Sequence, residues 1–207
     1  MDEPINWCAH MRVSDIGENR TRMEIALQKA KELGLKYVRI DFEWKLLEPN
    51  IDEWDEKYFQ WYEDFLNISE SKGIKVIATL AAKLSAPGWA IWIKDFKKEK
   101  FWDELGEYVE KVAERFGDRI DYYQLSNEEN VPQYSFFNDE EEPKAFEVMW
   151  KSLKKKDKNF STIINIAIWG VWTDYIDNVL TKAGKYIDII GIDPYPGTIW
   201  SIGVLTM

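Results

Sequence analysis

Strand-like and helix-like segments alternate along the 207 residues of the chain. Short apolar runs predict strands, and apolar residues at helical spacing predict helices between them. The predicted strands cover residues 5–11, 36–42, 74–80, 119–125, 162–168 and 187–192, and the predicted helices cover residues 23–33, 54–68, 102–116, 146–153 and 175–183. Such strand–helix–strand units pair their strands in parallel. We therefore predict an α/β fold with about six parallel strands and five helices.

Two architectures contain such units, the TIM (β/α)8 barrel and the doubly wound open sheet. A nucleotide-binding open sheet usually has a glycine-rich first turn, and neither G-x-G-x-x-G nor G-x-x-x-x-G-K occurs in this sequence. A TIM barrel places its functional residues on the loops after the strands. Here those loops are rich in carboxylates and tryptophans, whereas the turns into the strands are plain. We predict a TIM-type barrel, incomplete as given, in a single domain over residues 1–207.

The charge and hydropathy of the chain exclude several classes of partner. The net charge is −10 and the pI is about 4.8, so nucleic acid is not expected to bind. No apolar run is long enough to span a membrane. The N-terminal sequence MDEPINWC lacks the features of a signal peptide, which favours the cytoplasm but leaves the compartment open.

Cys8 is the one cysteine and His10 the one histidine of the chain. An intrachain disulfide and a cysteine-based zinc cluster are therefore excluded. No G-x-S-x-G motif accompanies His10, so a serine nucleophile is not favoured. We predict neither a metal nor a cofactor.

Tryptophan is unusually frequent, with 11 residues in 207. Six of the eleven follow predicted strands: Trp44, Trp89, Trp92, Trp169, Trp172 and Trp200. Indole faces stack on sugar rings while the N–H remains free for a hydroxyl, and a pair of carboxyl groups is what breaks a glycosidic bond. The pattern predicts a carbohydrate site, with core packing as the alternative for any single tryptophan.

Four motifs follow successive strands in order: RIDFEWKLLEP, APGWA, QLSNEEN and IDIIGIDPYPG. With these motifs the chain resembles the clan A glycoside hydrolases, retaining (β/α)8 enzymes that include β-galactosidase-like, β-xylosidase-like and cellulase-like families. The resemblance extends from about residue 5 to about residue 200. It implies hydrolysis of O-glycosidic bonds in β-linked saccharides by a retaining, two-carboxylate mechanism.

The resemblance also implies roles for individual residues. Glu128 would be the general acid/base, Asn127 would bind the substrate 2-hydroxyl, and Arg39 would hold carboxylate geometry beneath the site. Further substrate-binding residues would be Trp44, Trp89, Trp169 and Tyr195. Glu129 should face away from the site, because neighbouring strand residues point to opposite sides. The alternatives are a solvated strand end for Glu128 and an ordinary ion pair for Arg39, with Asp41, Glu43 or a later carboxylate.

The nucleophile of these families is a glutamate at the end of the seventh strand, and no glutamate follows Glu147 in this sequence. We expect a C-terminally truncated barrel, a barrel completed by a partner chain, or a six-strand variant in which Glu43 or Asp193 substitutes. Open barrel edges predict a homo-oligomer, most simply a dimer, to which the tail SIGVLTM could contribute. The alternative functions are an inactive remnant barrel that binds carbohydrate or only folds and oligomerises, and an open-sheet nucleotide-binding protein.

Overall fold

The computed structural model describes residues 8–156, 159–168 and 172–193. Its six strands are β1 (Cys8–Met11), β2 (Tyr37–Asp41), β3 (Lys75–Ala81), β4 (Tyr122–Asn127), β5 (Ser161–Ala167) and β6 (Ile189–Asp193). Its α-helices are α1 (Val13–Ile16), α2 (Arg20–Glu32), α3 (Trp44–Leu47), α4 (Glu56–Ser71), α5 (Gly88–Phe96), α6 (Lys98–Phe116), α7 (Glu142–Lys156) and α8 (Trp172–Ala183). Single 3-10 turns cover Lys83–Ser85, Gly117–Arg119 and Gly184–Tyr186.

The six strands form one parallel sheet in the order β1-β2-β3-β4-β5-β6. A doubly wound sheet reverses its strand order at a switch point, so this order excludes that fold. Strands added one after another, each followed by a helix, curl into part of a TIM barrel. The predicted fold class is confirmed.

The described residues contain eight α-helices rather than five. The five predicted helices correspond to α2, α4, α6, α7 and α8, and the extra ones lie in the loops after β1, β2 and β3. The segment after β3, which contains Pro87, was predicted as a long loop. Proline is tolerated at a helix start, and Pro87 is the N-cap of α5, which buries Ala90 and Ile93.

Local signals fix the ends of the predicted helices. Asn19 accepts a hydrogen bond from the Thr21 N–H at 2.9 Å before α2, and Asp55 accepts one from the Lys57 N–H at 2.9 Å before α4. Such caps satisfy N–H groups that a helix start leaves open. Gly34 and Gly73 follow α2 and α4 with φ values of 74° and 71°, a conformation that glycine adopts without strain.

Aromatic side chains fill the space between the sheet and the outer helices. Phe42 stacks on Tyr62 with ring centroids 4.3 Å apart, and Trp44 stacks on Tyr108 at 4.9 Å. Such pairs add about 0.5–1.5 kcal/mol beyond the burial of their surface. The Tyr108 hydroxyl contacts the carbonyl oxygens of Phe42 and Leu80, which ties α6 to the ends of β2 and β3. Among the described helices, none is both long and apolar enough to cross a lipid bilayer.

Three glutamates, Glu48, Glu129 and Glu142, are buried in this layer. The pKa of Glu129 is raised to about 8, chiefly by burial and also by the nearby Glu142 carboxyl, while the Phe136 and Phe137 N–H groups oppose the shift. Burial likewise raises the pKa values of Glu48 and Glu142 to about 7. These three pKa values lie above the ordinary value for glutamate. The folded protein therefore keeps these carboxyls protonated up to a higher pH than the unfolded chain does.

The stability of the protein should fall as the pH rises from about 4.5 towards about 8. In that window the unfolded chain has released the Glu129 proton whereas the folded chain retains it, so ionisation favours unfolding. Glu129→Gln keeps an acceptor for the Phe136 and Phe137 N–H groups and should reduce this loss. Urea unfolding at several pH values measures the effect, with the exposed Glu140→Gln as control. Equal pH dependence in wild type and Glu129→Gln would contradict it.

Candidate active site

The carboxyl ends of β1 to β4 surround a cavity of about 210 Å³. Its lining comes from the residues that follow each strand: Arg12 and Ser14; Asp41, Glu43 and Lys45; Ala82 to Ser85; and Asn127 and Tyr134. Ligand pockets usually measure about 300–1,000 Å³, so this cavity accepts a small group such as one sugar ring. Its position is the one at which TIM barrels place their active sites.

His10 joins two charged residues on the inner face of the sheet. Its Nε2 lies 3.0 Å from Asp41 Oδ1, and its Nδ1 lies 3.0 Å from Arg39 Nη2. A guanidinium can only donate, so Nδ1 accepts and the ring proton is on Nε2, from which it is donated to Asp41. The imidazole is therefore in its neutral Nε2–H tautomer and holds Asp41 at the edge of the cavity.

Arg39 continues this chain of contacts towards β4 and β6. Its Nη1 donates to Gln124 Oε1 and to Asp193 Oδ2, both at 3.2 Å. The sequence left Asp41, Glu43 or a later carboxylate as possible ion-pair partners. Among these, Asp193 is the carboxylate that pairs directly with Arg39, while Asp41 is reached through His10.

Asn165 on β5 is the centre of these contacts. We call the connected set the inner network; its members are His10, Arg39, Asp41, Gln124, Asn127, Asn165 and Asp193. Its Oδ1 accepts from Gln124 Nε2 at 2.9 Å and from the Glu128 backbone N–H at 3.0 Å. Its Nδ2 donates to Asp193 Oδ2 at 2.5 Å and to Asn127 Oδ1 at 3.3 Å. A side-chain amide has two donors and two acceptor positions, and all four are occupied here, so Asn165 connects β4, β5 and β6.

Glu128 immediately follows β4 and is 2% exposed. The alternative of a solvated strand end is therefore wrong. Its φ is 52°, in the left-handed region that few non-glycine residues adopt. Such backbone strain needs support from surrounding structure and is common at functional sites, and here the hydrogen bond to Asn165 supplies that support.

Glu129 has a separate environment, on the helix side of the sheet. Its Oε2 accepts from the N–H groups of Phe136 and Phe137 at 2.7 and 3.0 Å. The Phe136 ring contacts Phe101 of α6, with centroids 5.9 Å apart. Glu129 thus faces away from the inner network, but it is a buried residue that orders the β4–α7 loop.

Of the two substitute carboxylates, Glu43 lines the cavity and Asp193 belongs to the inner network. The buried Glu43 pairs with Lys45 Nζ at 3.0 Å. Its backbone N–H donates to the Tyr62 hydroxyl at 2.8 Å, and that hydroxyl donates to the Asp41 carbonyl oxygen. The end of β2 is thereby fixed to α4.

The tryptophans predicted to bind substrate have other neighbours. Trp44 is 1% exposed, stacks on Tyr108, and donates from Nε1 to Glu48 Oε2 at 2.7 Å. It has no free face for a sugar, so Trp44 is a core-packing residue, the alternative that the sequence left open. Trp89 is half-buried, packs edge-on against Trp44, and does not line the cavity. Trp169 and Tyr195 lie outside the described residues, and their roles stay predictions.

Within the described segments, the carboxylates of Glu48, Asp52 and Glu104 are close enough to share a cation. Glu48 already accepts hydrogen bonds from Trp44 Nε1 and the Asp52 N–H. The group does not line the cavity, and we assign it no role in the site.

Sequence reasoning missed several parts of the site. Gln124 and Asn165 were assigned only to strands, and the sequence did not connect His10 with Arg39 and Asp41. A usable signal was present, because polar residues alternate on strands that are otherwise apolar, as in Arg39 and Asp41 or Gln124 and Ser126. Barrel interiors are mostly filled by branched apolar side chains, so polar residues at this period mark the functional end.

Replacing Asn165 with leucine should destabilise the protein by roughly 2–4 kcal/mol, because polar groups at the ends of β4 and β6 would lose their partners. Asn165→Asp should preserve the hydrogen bond from the Glu128 N–H, because it keeps the acceptor oxygen. It also places a second carboxylate against Asp193, and this repulsion should destabilise the protein. Urea unfolding measures both variants, and the exposed Asn67→Leu is the control. An Asn165→Leu variant no less stable than the control would show that the network carries little free energy.

Solved structures share this fold at low sequence identity. A β-galactosidase from the psychrophilic Marinomonas ef1 matches with a TM-score of 0.73 and 15% identity, covering 93% of this chain and 41% of its own. A β-glucosidase from Thermotoga maritima, in complex with deoxynojirimycin, matches with a TM-score of 0.70 and 16% identity, covering 94% and 66%. Fpglu1 from Fervidobacterium pennivoraus matches with a TM-score of 0.65 and 18% identity, covering 85% and 50%.

This chain thus spans 50% of the length of Fpglu1 and 41% of that of the Marinomonas β-galactosidase. No curated protein sequence matches it. The family model of glycosyl hydrolase family 1 matches residues 7–164, most of the chain. That match spans β1 to β4 and the first four residues of β5, and it ends before Asn165. The chain belongs to glycosyl hydrolase family 1.

Proposed function

We propose that this chain carries the acid/base half of a retaining glycoside hydrolase site for β-linked saccharides, with Glu128 as the general acid/base. The observation that carries the proposal is the burial of Glu128 at the end of β4, on a strained backbone held by Asn165. Membership of the family agrees with this assignment.

A general acid must keep its proton until the leaving oxygen receives it. Glu128, buried at the end of β4, would supply this proton. After the leaving group departs, the same residue takes a proton from the incoming water. Asn127, next to it, lines the cavity and is positioned by Asn165, which suits it to bind a sugar hydroxyl.

Retention needs a second carboxylate as nucleophile. We propose Asp193 as this nucleophile in preference to Glu43. Asn165 contacts both Asp193 and the Glu128 backbone N–H, and Asp193 is also paired with Arg39. The guanidinium keeps its charge at any working pH, so its ion pair with Asp193 fixes the position of that carboxylate beside Asn165. Glu43 is paired with Lys45 and is the second choice.

Carbohydrate binding without turnover is the alternative function. Both substitute carboxylates are engaged in ion pairs, with Arg39 and with Lys45, which favours this alternative. In that case Glu128 and Asn127 would bind sugar hydroxyls only, and no covalent intermediate would form.

Glu128→Gln should lower hydrolysis of phenyl β-glycosides by about 10²–10⁴-fold. The loss should be much smaller for dinitrophenyl β-glycosides, because that leaving group departs without a proton. Values of kcat/KM at about pH 6 measure the contrast, because they report the steps up to departure of the leaving group, with the neighbouring Glu129→Gln as the matched control that retains activity. An equal loss on both substrates would contradict the acid role. If the wild type turns over neither substrate, hydrolysis by this chain is excluded, and sugar titrations followed by NMR test the alternative.

We also propose that a second copy of the chain covers the two outer strands. Within the described sheet β1 and β6 each pair on one side only, and Ile189 and Ile192 of β6 are 38% and 51% exposed. Unpaired strand edges with apolar side chains promote association. Light scattering should therefore give the mass of a dimer, and Ile192→Lys should shift it to a monomer. A wild type that is monomeric at high concentration would contradict the proposal.

A further inference from the structure

Two carboxyl groups, those of Glu129 and Glu142, are buried near each other beneath the β4–α7 loop, residues 128–141. Glu129 lies at the start of this loop and is 7% exposed, and Glu142 is the first residue of α7 and is 3% exposed. The charge of Glu142 raises the pKa of Glu129, which places the two carboxyls close together. Among the described residues, no lysine or arginine forms an ion pair with either of them.

The two oxygens of Glu129 have different surroundings. Oε2 accepts from the Phe136 and Phe137 N–H groups at 2.7 and 3.0 Å, whereas Oε1 is buried and has no hydrogen-bond partner among the described residues. The Ser135 hydroxyl has one proton to donate and gives it to the Phe137 carbonyl oxygen at 2.7 Å. In the neutral carboxyl the proton therefore resides on Oε1. An ionised Oε1 would be a buried charge without a donor, which is costly.

Groups of α8 and of the loop face the Glu142 carboxyl without neutralising it. The Tyr175 hydroxyl of α8 donates to Glu142 Oε1. Lys182 of α8 lowers the pKa of Glu142, but its Nζ is bonded to the Asp139 carbonyl oxygen at 3.4 Å. The Asp139 carboxylate acts in the opposite direction and raises the same pKa.

Lysines of α5 and α6 approach the same loop, but they bind a different carboxylate. Lys94 of α5 lies 5.8 Å from the centroid of the Phe136 ring and pairs with Glu141 at 3.2 Å. Lys98 of α6 pairs with Glu141 at 2.9 Å. These two charges therefore compensate Glu141 and leave Glu129 and Glu142 without a cationic partner.

The loop that Glu129 holds also forms one wall of the cavity. Tyr134 lines the cavity, and its N–H donates to the Val131 carbonyl oxygen at 2.9 Å. The two N–H groups bound by Glu129 follow only two and three residues later, at Phe136 and Phe137. A change at the Glu129 carboxyl is therefore transmitted to the cavity through this short segment.

We propose that Glu129 and Glu142 form a proton-dependent latch, which holds the β4–α7 loop and Tyr134 at the cavity while both carboxyls are neutral and releases them when the carboxyls ionise. Ionisation places an unpaired charge on Glu129 Oε1 opposite a second carboxylate, and opening of the loop admits the water that this charge needs. The latch is independent of the role proposed for Glu128, because neither of its carboxyls takes part in that chemistry.

The direction of the pH dependence follows from the two states of the loop. With the loop closed, the pKa values of Glu129 and Glu142 are raised to about 8 and about 7, whereas exposure to water returns them to the ordinary value of 4.5. The open loop therefore releases protons that the closed loop retains. Opening becomes easier as the pH rises from about 4.5 to about 8 and changes little above that.

Amide hydrogen exchange of the full chain, resolved by NMR and corrected for the intrinsic pH dependence of exchange, tests the latch in the wild type. Protection of the Tyr134, Phe136 and Phe137 amides should fall about tenfold per pH unit for each proton released and level off above about pH 8. Amides within β3 (Lys75–Ala81) should stay more strongly protected at every pH, because local opening leaves the sheet intact.

Three variants separate the latch from other carboxyls. Glu129→Gln keeps an acceptor for the two N–H groups but cannot ionise, so loop protection should change with pH much less than in the wild type. Glu142→Gln removes the opposing carboxylate and should also weaken the dependence, which provides a second test if Glu129→Gln does not fold. The exposed Glu140→Gln, in the same loop, should keep the wild-type dependence.

Corrected loop protection that is the same from pH 5 to pH 8 would overturn the proposal. Equal protection of the loop and of β3 at every pH would also overturn it, because the loop would then open only when the whole protein unfolds. So would wild-type pH dependence in both Glu129→Gln and Glu142→Gln.

Discussion

The side-chain amide of Asn165 is the contact on which the inner end of this barrel depends. It holds the Glu128 backbone in a left-handed conformation and binds Asp193 on the neighbouring strand. Without it, the Glu128 N–H and the Gln124 amide would lose a buried acceptor. Because three parallel strands end at this one side chain, their loops keep a fixed relation to each other.

Two acidic neighbours show how the fold separates chemistry from structure. Glu128 is supported by the inner network, whereas Glu129 is bound by the Phe136 and Phe137 N–H groups beneath the helices. Both are buried, so burial alone does not distinguish a catalytic glutamate from one that orders a loop. The distinguishing feature is the neighbourhood: Asn127 beside Glu128 lines the cavity, and Glu129 faces Glu142.

The sequence predicted the strands and the glycines that end helices, because hydrophobic periodicity and turn residues are local signals. It predicted the strand order because the rule for parallel crossover connections is general. It did not predict α5, which begins directly after its N-cap Pro87 within a segment predicted as a long loop. It assigned Trp44 to a sugar site, because a strand end does not show on which side an indole lies. Strand register and the course of the loops decide which side chains meet, and one sequence leaves both undetermined. The sequence therefore could not predict the contacts among His10, Arg39 and Asn165, nor the position of Arg12 and Lys83 at one cavity.

The most direct test of the two-carboxylate site is covalent trapping with a dinitrophenyl 2-deoxy-2-fluoro-β-glycoside. In this reaction a carboxylate bonds to the anomeric carbon, dinitrophenolate leaves, and the fluorine slows hydrolysis of the resulting ester. Mass spectrometry of the digested protein should place the sugar on the peptide that contains Asp193, or on the one that contains Glu43. A label on the Glu128 peptide, or no label at all, would contradict the assignment of Glu128 as the acid/base partner of a second carboxylate in this chain.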